Sequence, residues 1–121
     1  MNELPAQGMC TTYSTNSLIT DSAAAATAFA CGEKTKSGVI AMDPKGERKL
    51  PIITQLAKAS GRKIGIVSSV SIDHATPAAF YAHAAGRSVY YGIALQLAES
   101  GFDYFAGGGL KKPKGDKGDQ P

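Results

Sequence analysis

The 121-residue sequence predicts an α/β fold, a mostly parallel sheet flanked by helices, on three observations. Ile64-Gly65-Ile66-Val67 is a short, nearly all-apolar run, as in a parallel strand buried on both faces. Phe102-Asp103-Tyr104-Phe105-Ala106 reads as a second strand, closed by the turn Gly107-Gly108-Gly109. Helical patterns fill the stretch between them, and strands joined by helical crossovers lie parallel. In such sheets ligands sit beyond the carboxyl ends of the strands, which puts residues 68–76 on the functional rim.

The elements follow in order. Residues 8–18 are rich in hydroxyl and β-branched side chains and favour extended chain leading into a turn at Ser22. An alanine-rich helix is predicted over 23–30, with Gly32 placed to close it in a left-handed conformation. Residues 39–42 read as a short strand or hairpin arm, and Asp43-Pro44-Lys45-Gly46 has the composition of a turn. Leu50, Ile52, Ile53, Leu56 and Ala57 recur at helical spacing, with Pro51 at a first helical position and Gly61 just past the end. Thr76-Pro77 reads as cap and first residue of a helix through Ala85, which Gly86 terminates. A further helix over 89–100 carries Ile93, Leu95 and Leu97.

The 43% apolar and 19% charged content bounds the chain to one domain with a modest core. No apolar run is long enough to span a bilayer, and the first residues lack the pattern of an export signal. The net charge of +3 suggests nucleic acid only superficially, because the segment 111–121 supplies two of those charges. Without a basic stripe interleaved with aromatics, neither nucleic acid nor membrane is an expected partner. The reading is therefore one α/β domain over 1–110 and a solvated basic tail or loop over 111–121. Cys10 and Cys31 match no zinc spacing and are expected to be buried free thiols rather than a disulfide.

Four places could carry chemistry. Ser22 follows Asp21 at the start of the alanine helix; either residue can simply cap it, or the open N–H groups and small neighbours can receive an anion such as phosphate. His74, in the loop after the apolar strand, reads as a loop histidine or a ligand, and the adjacent Asp73 as a carboxylate opening a helix, with no catalytic role. His83 falls inside the predicted helix, in a structural or surface role. Arg87, at that helix's end, either complements the dipole or offers a planar fork of donors to a phosphoryl group. The run 107–109 lacks the Lys and Ser/Thr of a nucleotide loop.

Two of these stretches together point to a family. Ile19-Thr20-Asp21-Ser22-Ala23-Ala24-Ala25-Ala26-Thr27 resembles the active-site signature of alkaline phosphatases. His74-Ala75-Thr76-Pro77-Ala78-Ala79, followed by Ala82-His83 and Arg87, resembles the second signature block of the same family, and Lys34-Thr35-Lys36-Ser37-Gly38-Val39-Ile40 is similar between them. The resemblance spans about residues 8–110. It implies part of an alkaline-phosphatase-like sheet, with Ser22 as the nucleophile that becomes phosphorylated and Asp21 orienting Arg87 on the phosphate oxygens. It further implies two zinc ions and one magnesium ion, with Ser22, Thr76 and His74 near metal. The substrates implied are small phosphate monoesters, with inorganic phosphate as product. A homodimer and a periplasmic or extracellular setting are also implied.

The sequence departs from that pattern. It has no Asp-Gly-Met motif before Gly8, and the family's further metal ligands would follow the glycine run at a distance this chain does not reach. The expectation is an internal piece of an alkaline phosphatase with little activity alone. The alternatives are a noncatalytic phosphate-binding fragment and a related phosphodiester or sulfate ester hydrolase.

Overall fold

Small side chains decide how the first helix packs. In the computed structural model, which describes residues 5–115 and 117, α1 spans Ser22–Cys31. Asp21 caps it, its carboxylate accepting the Ala24 N–H at 3.0 Å. Gly32 ends it at φ +72°, its N–H donating to the Ala28 carbonyl. Methyl-sized residues let neighbouring backbone come close, and Ala23, Ala26 and Ala30 join one core with Ile40, Ile52, Ala78, Tyr81 and Ile93.

The remaining elements are α2 (Ile53–Ala59), β1 (Gly65–Val67), α3 (Ala75–Ala78), α4 (Tyr90–Glu99) and β2 (Tyr104–Ala106). β1 and β2 pair in parallel, with Ile66 opposite Phe105. The architecture is α/β, and none of the helices among the described residues is long and apolar enough to cross a membrane. Asp103 fastens the sheet to α2: its carboxylate accepts the Ile64 N–H at 2.9 Å and faces Lys58 at 2.8 Å and Lys63 at 3.1 Å. These hydrogen bonds and ammonium charges hold its pKa far below the usual carboxylate range.

Several sequence expectations need correction. The second helix starts at Ile53 rather than Pro51, because Ile52 is buried in extended backbone and the Leu50 N–H bonds the Ala41 carbonyl. The helix expected from Pro77 to Ala85 is a single turn, with His74 at its cap position and Thr76 and Pro77 inside. Beyond it the backbone bonds sideways: Ala84 exchanges both bonds with Ile40 at 2.9 Å, and Gln96 takes the His83 N–H. Long-range pairing here overrides the helical propensity of an alanine-rich run. His83 thus lies in a loop, its Nε2 2.9 Å from the Leu50 carbonyl, and Arg87 lies in a turn before α4.

β1 is not buried on both faces either, since Val67 is 71% exposed and the sheet has only two strands among the described residues. Cys10 is exposed and Cys31 half-buried; both are free, and burial, with Glu33 nearby, pushes the Cys31 thiol up to about 11. The basic segment begins docked rather than free, because the Lys111 N–H bonds the Asp73 carboxylate at 2.8 Å. The end of that segment, at 116 and 118–121, lies outside the described residues.

Thr27 is the buried polar link that turns the chain after α1. Its hydroxyl donates to the Val39 carbonyl at 3.3 Å and accepts the Ala41 N–H at 2.9 Å, and Ala41 sits at φ +47°. Thr27→Val keeps the shape and strands both backbone groups, which should lower stability by about 1–3 kcal/mol. Urea denaturation should show this as a lower midpoint, with Thr27→Ser, which keeps the hydroxyl, avoiding most of the loss.

Candidate functional site

The site is built where the start of α1, the 36–38 loop, the His74 loop and the turn at Arg87 meet. Asp21 and Arg87 stand 66 positions apart in sequence, yet Arg87 Nη1 lies 3.0 Å from Asp21 Oδ2. The same oxygen accepts the Gly38 N–H at 3.0 Å, while Oδ1 caps α1 at Ala24. Burial opposes the charge on Asp21, but hydrogen bonds from Ala24, Arg87 and Gly38 and the guanidinium charge outweigh it and lower the carboxyl pKa.

Arg87 Nη2 lies 3.3 Å from His74 Nε2. A guanidinium only donates, so Nε2 is the acceptor and the neutral ring carries its proton on Nδ1. Burial, then the charges of Arg87 and Lys111, depress the His74 pKa against the opposing pull of Asp73, in keeping with a neutral ring. Two of the five guanidinium donors are thereby held by protein groups, which fixes the fork. Ser22, half-buried, is the first residue of α1 and directly follows the carboxylate that holds Arg87. The Ser22 and Ala23 N–H groups have no acceptor among the described residues, so the helix end is open to an anion.

Thr76 is exposed and lines a different hollow, with Ser68, Pro77 and Phe80 beside β1. A cavity of about 250 Å³ lined by Tyr13, Thr20, Ala25, Phe29 and Lys34 includes none of Asp21, Ser22, His74 or Arg87 and is not part of the site. The metals implied by the resemblance fit these residues only in part. Among the described residues no three His, Cys, Asp or Glu side chains converge. The Nε2 lone pair of His74 faces Arg87, and its Nδ1 is buried without a partner. The described residues therefore do not make a metal cage by themselves.

Sequence reasoning missed three contributors. Gly38 was noted only within a resembling stretch, but its N–H is one of the bonds on Asp21. Asp73 is fully buried and ties Lys111 to the His74 loop. The glycine run is more than a turn: Gly108 N–H bonds the Val70 carbonyl at 2.8 Å, and a Cβ on Gly107 would come within 3.0 Å of that oxygen. Only the absence of side chains lets it lie against the segment leading to His74, and three successive glycines were the available signal.

Asp21→Asn removes a charged partner of Arg87 and weakens the cap, and should cost about 1–2 kcal/mol near neutrality. Because the folded pKa is depressed, this stability is present above the unfolded pKa and is lost as pH falls through the folded one. Urea midpoints of the wild type and Asp21→Asn should therefore differ at neutral pH and converge only as pH falls below the depressed folded-state pKa of Asp21.

The alkaline phosphatase family model matches residues 1–105. The human tissue-nonspecific isozyme of alkaline phosphatase is 36% identical over 99 residues, covering 74% of this chain and 19% of that protein. Alkaline phosphatase of Schizosaccharomyces pombe is 40% identical over 108 residues, covering 85% of this chain and 20% of that protein. Among solved structures, a variant of the TAB5 alkaline phosphatase with Mg bound superimposes with a TM-score of 0.85 at 39% identity, over 93% of this chain and 33% of that one. The chain spans about a fifth of the length of these curated relatives. A family match over most of the sequence, joined to this agreement in fold, establishes that the chain belongs to the alkaline phosphatase family.

Proposed function

We propose that this chain is the nucleophile-bearing segment of a metal-dependent phosphomonoesterase that works through a phosphoserine. The observation that carries the reading is the Asp21–Arg87 pair, which fixes a guanidinium beside the open end of α1, where Ser22 stands. In the proposed reaction Ser22 Oγ attacks phosphorus, the bond to the leaving alcohol breaks, and water later cleaves the phosphoserine to free phosphate. Arg87 and the open N–H groups hold the nonbridging oxygens, so this segment contributes mainly positioning and charge stabilisation. Because recognition is of the phosphoryl group, small phosphate monoesters of varied leaving group are the proposed substrates, with inorganic phosphate as product.

Two zinc ions and one magnesium ion are the proposed cofactors, and they would supply positive charge to the attacking and leaving oxygens when bound. Ser22, His74 and Thr76 are the residues of this chain proposed near them, with most ligands contributed from outside it. A homodimer working in a periplasmic or extracellular setting completes the proposal by the same resemblance. One observation favours a second reading for the chain alone: His74, beside Arg87, has its Nε2 lone pair engaged and is not free as a base for Ser22. By itself the segment is then a phosphate binder without turnover.

The test uses release of a phenol from an aryl phosphate. In a polypeptide of the relatives' length carrying this segment, Ser22→Ala should lower kcat at least about a thousandfold. Arg87→Ala should lower kcat/KM by about a hundredfold and weaken inhibition by phosphate, and chelation should abolish turnover. The 121-residue chain should show little turnover even with zinc and magnesium added. Robust turnover by that chain, lost in Ser22→Ala, would overturn the division of labour argued above.

A further inference from the structure

We infer that Asn16 is a positioning residue for the phosphate-binding arginine, acting through Ser37 and Gly38 on the carboxylate of Asp21. The inference rests on the proposed role of Arg87 and adds a residue outside the two signature blocks. Residues 8–19 are exposed throughout except at Ser14, which is 4% exposed. There the chain makes a tight turn, the Ser14 N–H donating to the Ser17 carbonyl at 2.9 Å. Asn16 Oδ1, at the tip of that turn, accepts the Ser37 N–H at 2.9 Å and the Ser14 hydroxyl at 3.2 Å. The Thr15 N–H bonds the Thr35 carbonyl at 3.0 Å, and the Ser14 and Ser37 hydroxyls lie 3.2 Å apart. An otherwise solvent-facing segment is thus fastened at several points to residues 35–37.

The residue after that fastening is Gly38. Its N–H reaches Asp21 Oδ2, the same oxygen that holds Arg87 Nη1. Gly38 sits at φ +87°, and a Cβ there would meet nothing within 4 Å. The demand for glycine is therefore conformational: the left-handed backbone turns its N–H onto the carboxylate. Asn16 holds the peptide before it, so releasing Asn16 frees the Gly38 amide to swing away. Asp21 then keeps its cap on Ala24 through Oδ1 but loses the bond that steers Oδ2, and Arg87 loses a fixed partner.

Isothermal titration of the full chain with inorganic phosphate tests this, alongside amide hydrogen exchange at Gly38 followed by NMR. Asn16→Ala should weaken phosphate binding about three- to tenfold in the wild-type background and leave it unchanged in an Asp21→Asn background, because the route through Asp21 is already cut. Gly38 exchange should speed up about tenfold in Asn16→Ala and stay at the wild-type rate in Asn16→Asp, which keeps the acceptor. Gly38→Ala, acting on the same link through its φ, is the second variant should Asn16→Ala not fold. Equal losses of affinity in both backgrounds, or unchanged Gly38 exchange, would overturn the inference. Absent or Arg87-independent phosphate binding would instead refute the phosphate role of Arg87, and the exchange rates would still decide whether Asn16 controls Gly38.

Discussion

The carboxylate of Asp21 is the point on which the site depends. One oxygen caps α1, and the other is shared by a loop amide and a guanidinium from the far end of the sequence. A surface ion pair of this length contributes little to stability by itself. Here the helix start, the 36–38 loop and the Arg87 turn meet at one acidic group, and moving any of them disturbs the other two. Burial alone would favour the protonated acid; the donors around it reverse that preference. The charge is thus a product of the fold and in turn fixes the orientation of Arg87.

That convergence needs backbone to come close to backbone, which the alanines of α1 allow. α1 and α3 belong to one core through Ala23, Ala26, Ala75, Ala78 and Ala79, side chains too small to keep the elements apart. Thr27 adds a hydroxyl where a methyl would have left the Ala41 amide unpaired. The Ile40–Ala84 bridge then carries the chain toward Arg87. A longer α3 would absorb residues 79–85 into a helix, and Ala84 could not bond Ile40. The failure of the alanine-rich run to stay helical therefore helps place the arginine.

What was legible in the sequence follows the range of the interactions. Asp21, the alanines and Gly32 define α1 through contacts within a few residues, and its limits were readable to within one residue. The parallel strands were readable as apolar runs, but not their exposure, which depends on what covers them. The pairing of Asp21 with Arg87 was suggested by family resemblance, since no local pattern encodes a contact across 66 positions. Asn16 was invisible: an asparagine in a polar turn is ordinary, and its amide acceptor comes from another loop. His74 could be named, but its proton position required the distance to Arg87.

Magnitudes limit what this site can do to Ser22. An alcohol hydroxyl ionises far above neutral pH, so forming the Ser22 alkoxide near pH 7 costs on the order of 10 kcal/mol. The positive end of a helix contributes about 0.3–1 kcal/mol to a nearby anion, and about 2 kcal/mol in the most favourable partly buried geometry. Arg87 adds less than a bare cation would, because Asp21 already offsets its charge. The local field therefore covers a small part of the requirement, and no free base stands ready among the groups that face Arg87. An anion that arrives with its charge already formed faces no such barrier and needs only the oriented donors of Arg87 and the helix end. Under the proposed function this geometry suits holding a phosphoryl group better than attacking it, and the proposed phosphoserine chemistry calls for further positive charge at Ser22 beyond that of the described residues.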